Sequence, residues 1–265
     1  MRSIKLTIQY DGTDYNGWQI QPPDTSDYRK QKNIITIQGI IQDAIKKITG
    51  EDVKLIGAGR TDAGVHALAQ VAAFRTDSKL QPDVIKRALN ANLPDDVRIT
   101  DSCDIDEDFH PRYGAKSKIY FYLISGSHMV SPFLYRYAWR MPHELDFEAA
   151  EEALRSFKGR HDFSSFRGSG CGAKNPVRTV MDASIEHLNA IDFMTARLGG
   201  DFIKIRIEAD AFLRHMVRNI VGTIVEIGRG KIKPEDMEKI LLSKNRKNAG
   251  PTAPARGLFL EKVIY

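Results

Sequence analysis

Residues 57–67 read Gly-Ala-Gly-Arg-Thr-Asp-Ala-Gly-Val-His-Ala, placing one carboxylate, Asp62, and one guanidinium, Arg60, in a glycine-rich turn. A carboxylate kept ionised in such a turn can attack an electrophilic carbon or assist a proton abstraction. Glycines at this density let the backbone take positive φ or approach a ligand closely. Spacing alone also allows a plainer role, in which Asp62 caps a hairpin turn and Arg60 is a solvated ion-pair partner. Two further segments offer chemistry: the tyrosine pair Tyr120 and Tyr122, and Arg218 inside Met216-Val217-Arg218-Asn219-Ile220-Val221-Gly222. An aromatic ring can stack on an unpaired base, and a guanidinium can stabilise a buried carboxylate that would otherwise be costly to ionise.

The elements that must position these groups follow from apolar periodicity. Apolar runs at 53–56 and 69–74 predict two strands flanking the Asp62 loop. Residues 4–10 alternate as a strand, 35–48 carry helical spacing, 82–91 form a helix with Pro82 in its first turn, and 97–105 close the half as a strand. The order is β-α-β-β-α-β, the ferredoxin-like arrangement. Beyond residues 111–115 the order roughly repeats, with strands at 119–124, 177–187, 202–209 and 258–264 and helices near 147–157 and 213–227. The expectation is an α+β protein of two ferredoxin-like halves, 1–112 and 113–265. Their strands would form a continuous antiparallel sheet with helices on one face and a central active-site cleft. In the helix at 213–227, Leu213, Met216, Val217, Ile220, Val221, Ile224 and Val225 make the buried stripe, and Arg218 lies at its shoulder. From there it could reach a cleft wall or snorkel to solvent. In the strand at 119–124, Tyr120 and Tyr122 share one face. An exposed Tyr120 ring facing the cleft would suit base stacking; the alternative puts both tyrosines at the edge of the core.

Composition narrows the class. The chain has 265 residues, 42% hydrophobic and 28% charged, with a net charge of +5 that leans toward an anionic partner. No apolar run reaches the ~18 residues of a membrane span, and the first residues alternate as a strand, so a cytoplasmic protein is expected. Cys103 and Cys171, the two cysteines, lack metal-ligand spacing and are expected as free thiols. Neither a phosphate-binding Walker loop nor a dinucleotide fingerprint is present, and no cofactor or metal is expected.

GRTDAGVHA, nine consecutive residues at 59–67, resembles the signature of the TruA-type tRNA pseudouridine synthases, which modify uridines of the anticodon stem-loop. The resemblance extends to Met216–Gly222, similar to that family's M-V-R-x-I-V-G, and to the A-x-x-K-x-Y-x-Y pattern ending at Tyr122. Weaker similarities at 159–163, 175–180 and 253–258 carry it nearly end to end. It implies that Asp62 is the catalytic nucleophile, that Arg218 contacts it, and that Tyr120 stacks on the target uracil. By the same resemblance Arg60 contacts RNA, Leu258 forms an apolar wall beneath the substrate, the uridines lie at tRNA positions 38–40, and the enzyme is a homodimer. The polar segment 22–33 is longer than the family's usual connection; it is either a surface loop or a grip on RNA.

Two rivals stand beside this reading. A noncatalytic RNA-binding or RNA-folding module could use the same scaffold, since fold alone does not confer activity. A metal-dependent nuclease using Asp62 would need a second nearby acidic ligand, which the loop lacks.

Overall fold

The structure, a computed structural model, describes residues 1–21, 35–126, 131–193 and 195–265. The segment 22–33 therefore lies outside the described residues. The fold is α+β and divides into two compact units, Met1–Lys116 with Leu260–Tyr265, and Ser117–Phe259.

The first unit contains β1 (Arg2–Tyr10), α1 (Ile37–Thr49), β2 (Ile56–Gly57), β3 (His66–Thr76), α2 (Pro82–Asn92) and β4 (Val97–Ile105), in the expected β-α-β-β-α-β order. The terminal strand β10 (Leu258–Ile264) brings its last residues to this unit, giving the strand order β4-β1-β3-β10. β1 is central and antiparallel to both neighbours, with Ile4 opposite Phe74 on β3 and Asp104 on β4. Its alternation drives the sheet: Ile4, Leu6, Ile8 and Tyr10 are all buried. Helix α1 is capped at both ends, by the Thr36 hydroxyl accepting from the Gly39 amide and by Gly50 at φ 78°.

The strand expected at 53–56 is cut to Ile56–Gly57, which pair with Ala73 and Ala72. Two glutamines of α1 account for the loss. Gln42 donates to the Val53 carbonyl at 2.9 Å and Gln38 to the Leu55 carbonyl at 2.8 Å, so side-chain amides satisfy oxygens that a ladder would otherwise take.

The second unit holds β5 (Ser117–Ser125), β6 (Trp139–Arg140), α3 (Phe147–Arg155), β7 (Gly159–Asp162), β8 (Val177–Phe193), β9 (Ala196–Ala209), α4 (Met216–Gly228) and α5 (Asp236–Ser243). β5, β9, β8 and β7 are antiparallel in that order, and β6 adds a short parallel pair to β5. The core is the apolar stripe of α4, with Met216, Val217, Ile220, Val221, Ile224 and Val225 buried, beside Phe157, Phe163 and Phe166. α4 starts at Met216 rather than 213 because His215 adopts φ 60°, a left-handed conformation that a helix cannot propagate.

Candidate active site

Asp62 sits on the loop between β2 and β3, half-buried, in a tight turn whose Val65 amide donates to the Asp62 carbonyl at 3.1 Å. Gly64, third of the four turn residues, has φ 78°, the sign a type II turn demands at that position. The glycine of the signature is thus required by the turn that presents the carboxylate.

Beneath the turn lies a buried polar network. The Tyr10 hydroxyl lies 2.8 Å from the Thr61 hydroxyl, and the Gln70 amide donates to the Gly59 carbonyl at 2.9 Å. Tyr10, Thr61 and Gln70 are all buried. Burial raises the Tyr10 pKa, and hydrogen bonds with Thr61 and Gln70 offset this only in part, so the phenol stays protonated at neutral pH. A network with its groups paired in low dielectric rigidifies what it touches. Here it touches the backbone immediately before Asp62.

A second support comes from residues 11–19, a stretch the sequence analysis did not single out. The Trp18 amide donates to the Thr61 carbonyl at 3.0 Å. Gly17, at φ 87°, packs so closely that a Cβ there would lie 2.5 Å from the Thr61 oxygen and 3.0 Å from the Asp62 carbonyl carbon. At the exit of the loop, His66 Nδ1 lies 3.0 Å from Asp11 Oδ1 and 3.1 Å from the Gly12 amide nitrogen. Burial pushes the Asp11 carboxyl upward, but hydrogen bonds from His66 and Thr13 outweigh it and hold that acid well below the usual carboxylate range. The sequence signal for this brace is Tyr10-Asp11-Gly12-Thr13-Asp14-Tyr15-Asn16-Gly17-Trp18, two glycines among aromatics and acids directly after a strand. Arg60 is exposed, with Nε donating to Gln19 Oε1 at 3.2 Å.

The other residues singled out from sequence belong to the second unit. Tyr120, on β5, is only 6% exposed and meets Phe212 edge-on with ring centroids 5.0 Å apart. Of the two alternatives open for Tyr120 the structure has the buried one: β5 is buried along both faces, so the face that Tyr120 shares with Tyr122 is interior. Tyr122 is fully buried, as the core-edge alternative implied, and donates to the Pro254 carbonyl at 2.7 Å. Burial raises its pKa against the opposing charges of Arg218 and Arg256.

Arg218 lies in the first turn of α4, where the helix dipole disfavours a cation. It is fixed there by Ala253, whose carbonyl accepts from Arg218 Nε at 2.7 Å and whose amide donates to the Arg218 carbonyl at 3.0 Å. The rest of the motif builds that dock. Gly222 makes room for the Pro251 carbonyl, which a Cβ would meet at 1.7 Å. Buried Asn219 accepts from Arg246 at 3.0 Å and Thr252 at 2.6 Å. Leu258, the first residue of β10, is buried. The neighbouring acid and base at 161 and 162 have fixed local partners: Asp162 accepts from the Ser164 amide at 3.0 Å, and His161 Nε2 lies 2.8 Å from the Lys158 carbonyl oxygen. Among the described residues no cluster of three or more His, Cys, Asp or Glu could hold a metal ion, and no helix is long and apolar enough to cross a membrane.

A carboxylate on a braced turn, two residues from an exposed guanidinium, is equipment for an enzyme acting on an anionic substrate. Comparison with known proteins makes this specific. The family model for tRNA pseudouridine synthase matches residues 6–114 and 153–265. Over the full length of both chains the protein is 46% identical to tRNA pseudouridine synthase A of Thermodesulfovibrio yellowstonii and 48% identical to that of Acetivibrio thermocellus. The corresponding enzyme of a Thermoanaerobacter species is 44% identical, again over all of both chains. The chain belongs to the tRNA pseudouridine synthase family.

Proposed function

We propose that the protein isomerises uridine to pseudouridine in the anticodon stem-loop of tRNA, at positions 38–40, with Asp62 as its catalytic carboxylate. The observation that carries this reading is the braced turn within Gly59–Ala67, the segment that resembles the family signature. The reaction breaks the bond between C1′ and N1, turns the uracil, and joins C1′ to C5; the proton lost from C5 is balanced by one gained at N1. Nothing is oxidised or hydrolysed. Asp62 acts at C1′, on the base, or in abstraction at the sugar, and each route needs a carboxylate held still while the base turns. The Tyr10–Thr61–Gln70 network and the Gly17 contact supply that stillness.

Arg60 and Arg218 serve the polyanion and the carboxylate, since guanidinium forms bidentate contacts with phosphate and carboxylate alike. The resemblance gives Tyr120 a contact with the uracil, made through the small part of its ring that stays exposed beside Phe212, and gives Leu258 the role of an apolar wall. Extruding the uridine costs a few kcal/mol, which stacking and phosphate contacts offset. The enzyme works as a cytoplasmic homodimer, with residues 1–112 carrying the nucleophile and 113–265 carrying Tyr120 and Arg218.

The test is incubation with unmodified tRNA and quantification of pseudouridine, beside Asp62→Asn. Wild-type protein forms product, and the variant binds tRNA but forms essentially none. A wild type that binds RNA without making pseudouridine would establish the noncatalytic module instead, and an active Asp62→Asn would remove that residue from the chemistry.

A further inference from the structure

We infer that Gln19 and Gln38 are positioning residues that set the orientation of Arg60 for a phosphodiester of the substrate RNA; the inference rests on the substrate role of Arg60 given above. Gln38 lies in the first turn of α1 and is 8% exposed. Its side-chain amide is clamped by two backbone groups that cannot reverse roles. The Ile20 amide donates to Gln38 Oε1 at 2.9 Å, and Gln38 Nε2 donates to the Leu55 carbonyl at 2.8 Å. A flipped amide would set two donors against each other at Ile20 and two acceptors at Leu55, so only one orientation is satisfied.

That fixed polarity passes outward. Gln38 Oε1 also accepts from Gln19 Nε2 at 2.7 Å, which forces the Gln19 oxygen to the far side. The oxygen can only accept, and it receives Arg60 Nε at 3.2 Å. The chain therefore ends, by construction, in an acceptor suited to a guanidinium. Holding Arg60 by Nε leaves the two Nη nitrogens, which make no hydrogen bond among the described residues, as the outward fork. A planar fork of this kind recognises a phosphodiester through two parallel hydrogen bonds. Because one edge of the guanidinium is already oriented, less side-chain freedom is lost when RNA arrives.

The relay predicts a coupling that a purely structural glutamine would not show. tRNA affinity is measured as a function of salt for wild type, Gln19→Met, Arg60→Ala and the double variant, with pseudouridine formation followed in parallel. Arg60→Ala should weaken binding about tenfold and lower the salt slope by about one. Gln19→Met should weaken it roughly three- to fivefold by raising KM with little change in kcat, and should add nothing in the Arg60→Ala background. An equal effect of Gln19→Met in both backgrounds, or wild-type affinity and salt slope in Gln19→Met beside a weakened Arg60→Ala, would overturn the relay alone. Wild-type binding by Arg60→Ala would overturn the substrate role of Arg60 and the relay with it, while pseudouridine formed by the wild type keeps the enzymatic reading separate from either result.

Discussion

Gly17→Ala tests whether the Asp62 turn is held from behind. At φ 87° an alanine is strained whatever space surrounds it, and its Cβ would lie 2.5 Å from the Thr61 oxygen and 3.1 Å from the Ala63 amide nitrogen. The backbone term costs about 1–2 kcal/mol. To restore ordinary contact the 61–63 backbone must retreat by roughly 1 Å, a displacement that can cost on the order of 100-fold in rate at a reacting centre. The control is Gly50→Ala, which has a similar positive φ, 78°, but nothing within 4 Å of the new Cβ, at the end of α1. Gly50→Ala should lose about 1–2 kcal/mol in urea unfolding, or roughly 2–8 °C in Tm, and Gly17→Ala about 1–3 kcal/mol more for its clash, but only Gly17→Ala should lose ~10- to 100-fold in the single-turnover rate of pseudouridine formation. Equal rates for the two variants would refute the claim that Gly17 sets the position of the Asp62 turn.

The other predictions concern acid stability and the Arg218 dock. The Asp11 carboxyl is held below its unfolded value, so its contribution to stability is present above about pH 4 and lost as pH falls through the lower folded value. Asp11→Asn should therefore flatten the loss of stability on acidification below about pH 4, read as urea midpoints across that range, and an unchanged acid limb would reject the assignment. Gly222→Ala would drive a methyl into the Pro251 carbonyl at 1.7 Å, separating the Arg246–Ala253 strap from α4. A loss of about 3 kcal/mol is expected, together with reduced turnover because the Ala253 carbonyl no longer holds Arg218; wild-type stability would show that the strap is not seated as described.

Much of the backbone was legible because its signals are local. The strands at 97–105 and 258–264 stand as their alternation predicts, and Pro82 opens α2 as its fixed φ allows. The start of α4 was missed because the apolar stripe runs on through Leu213, while the break is a conformational choice at His215. That choice is bound up with the close approach of Gly168, whose amide donates to the Arg214 carbonyl at 2.8 Å. Strand 53–56 failed because hydrophobicity says that Val53 and Leu55 go inside, not whether a neighbouring strand or a helical glutamine takes their carbonyls. Short elements such as β7 and α5 carry too little periodicity to announce themselves.

The candidate site divides along the same line. The residue order by itself determined the family and the loop that carries Asp62, because the turn chemistry is written in consecutive residues: a glycine where φ must be positive, and a carboxylate two residues before it. Only the tertiary structure decided that Tyr120 is interior, that Arg218 is docked on Ala253, and that residues 11–19 brace the turn. Period-two alternation shows that a strand has two faces but not what covers each. Hydrogen bonds such as Arg218–Ala253, 35 positions apart, and Gly12–His66, 54 apart, leave no spacing in the sequence to read, and close packing, unlike turn chemistry, becomes visible only when both surfaces are present.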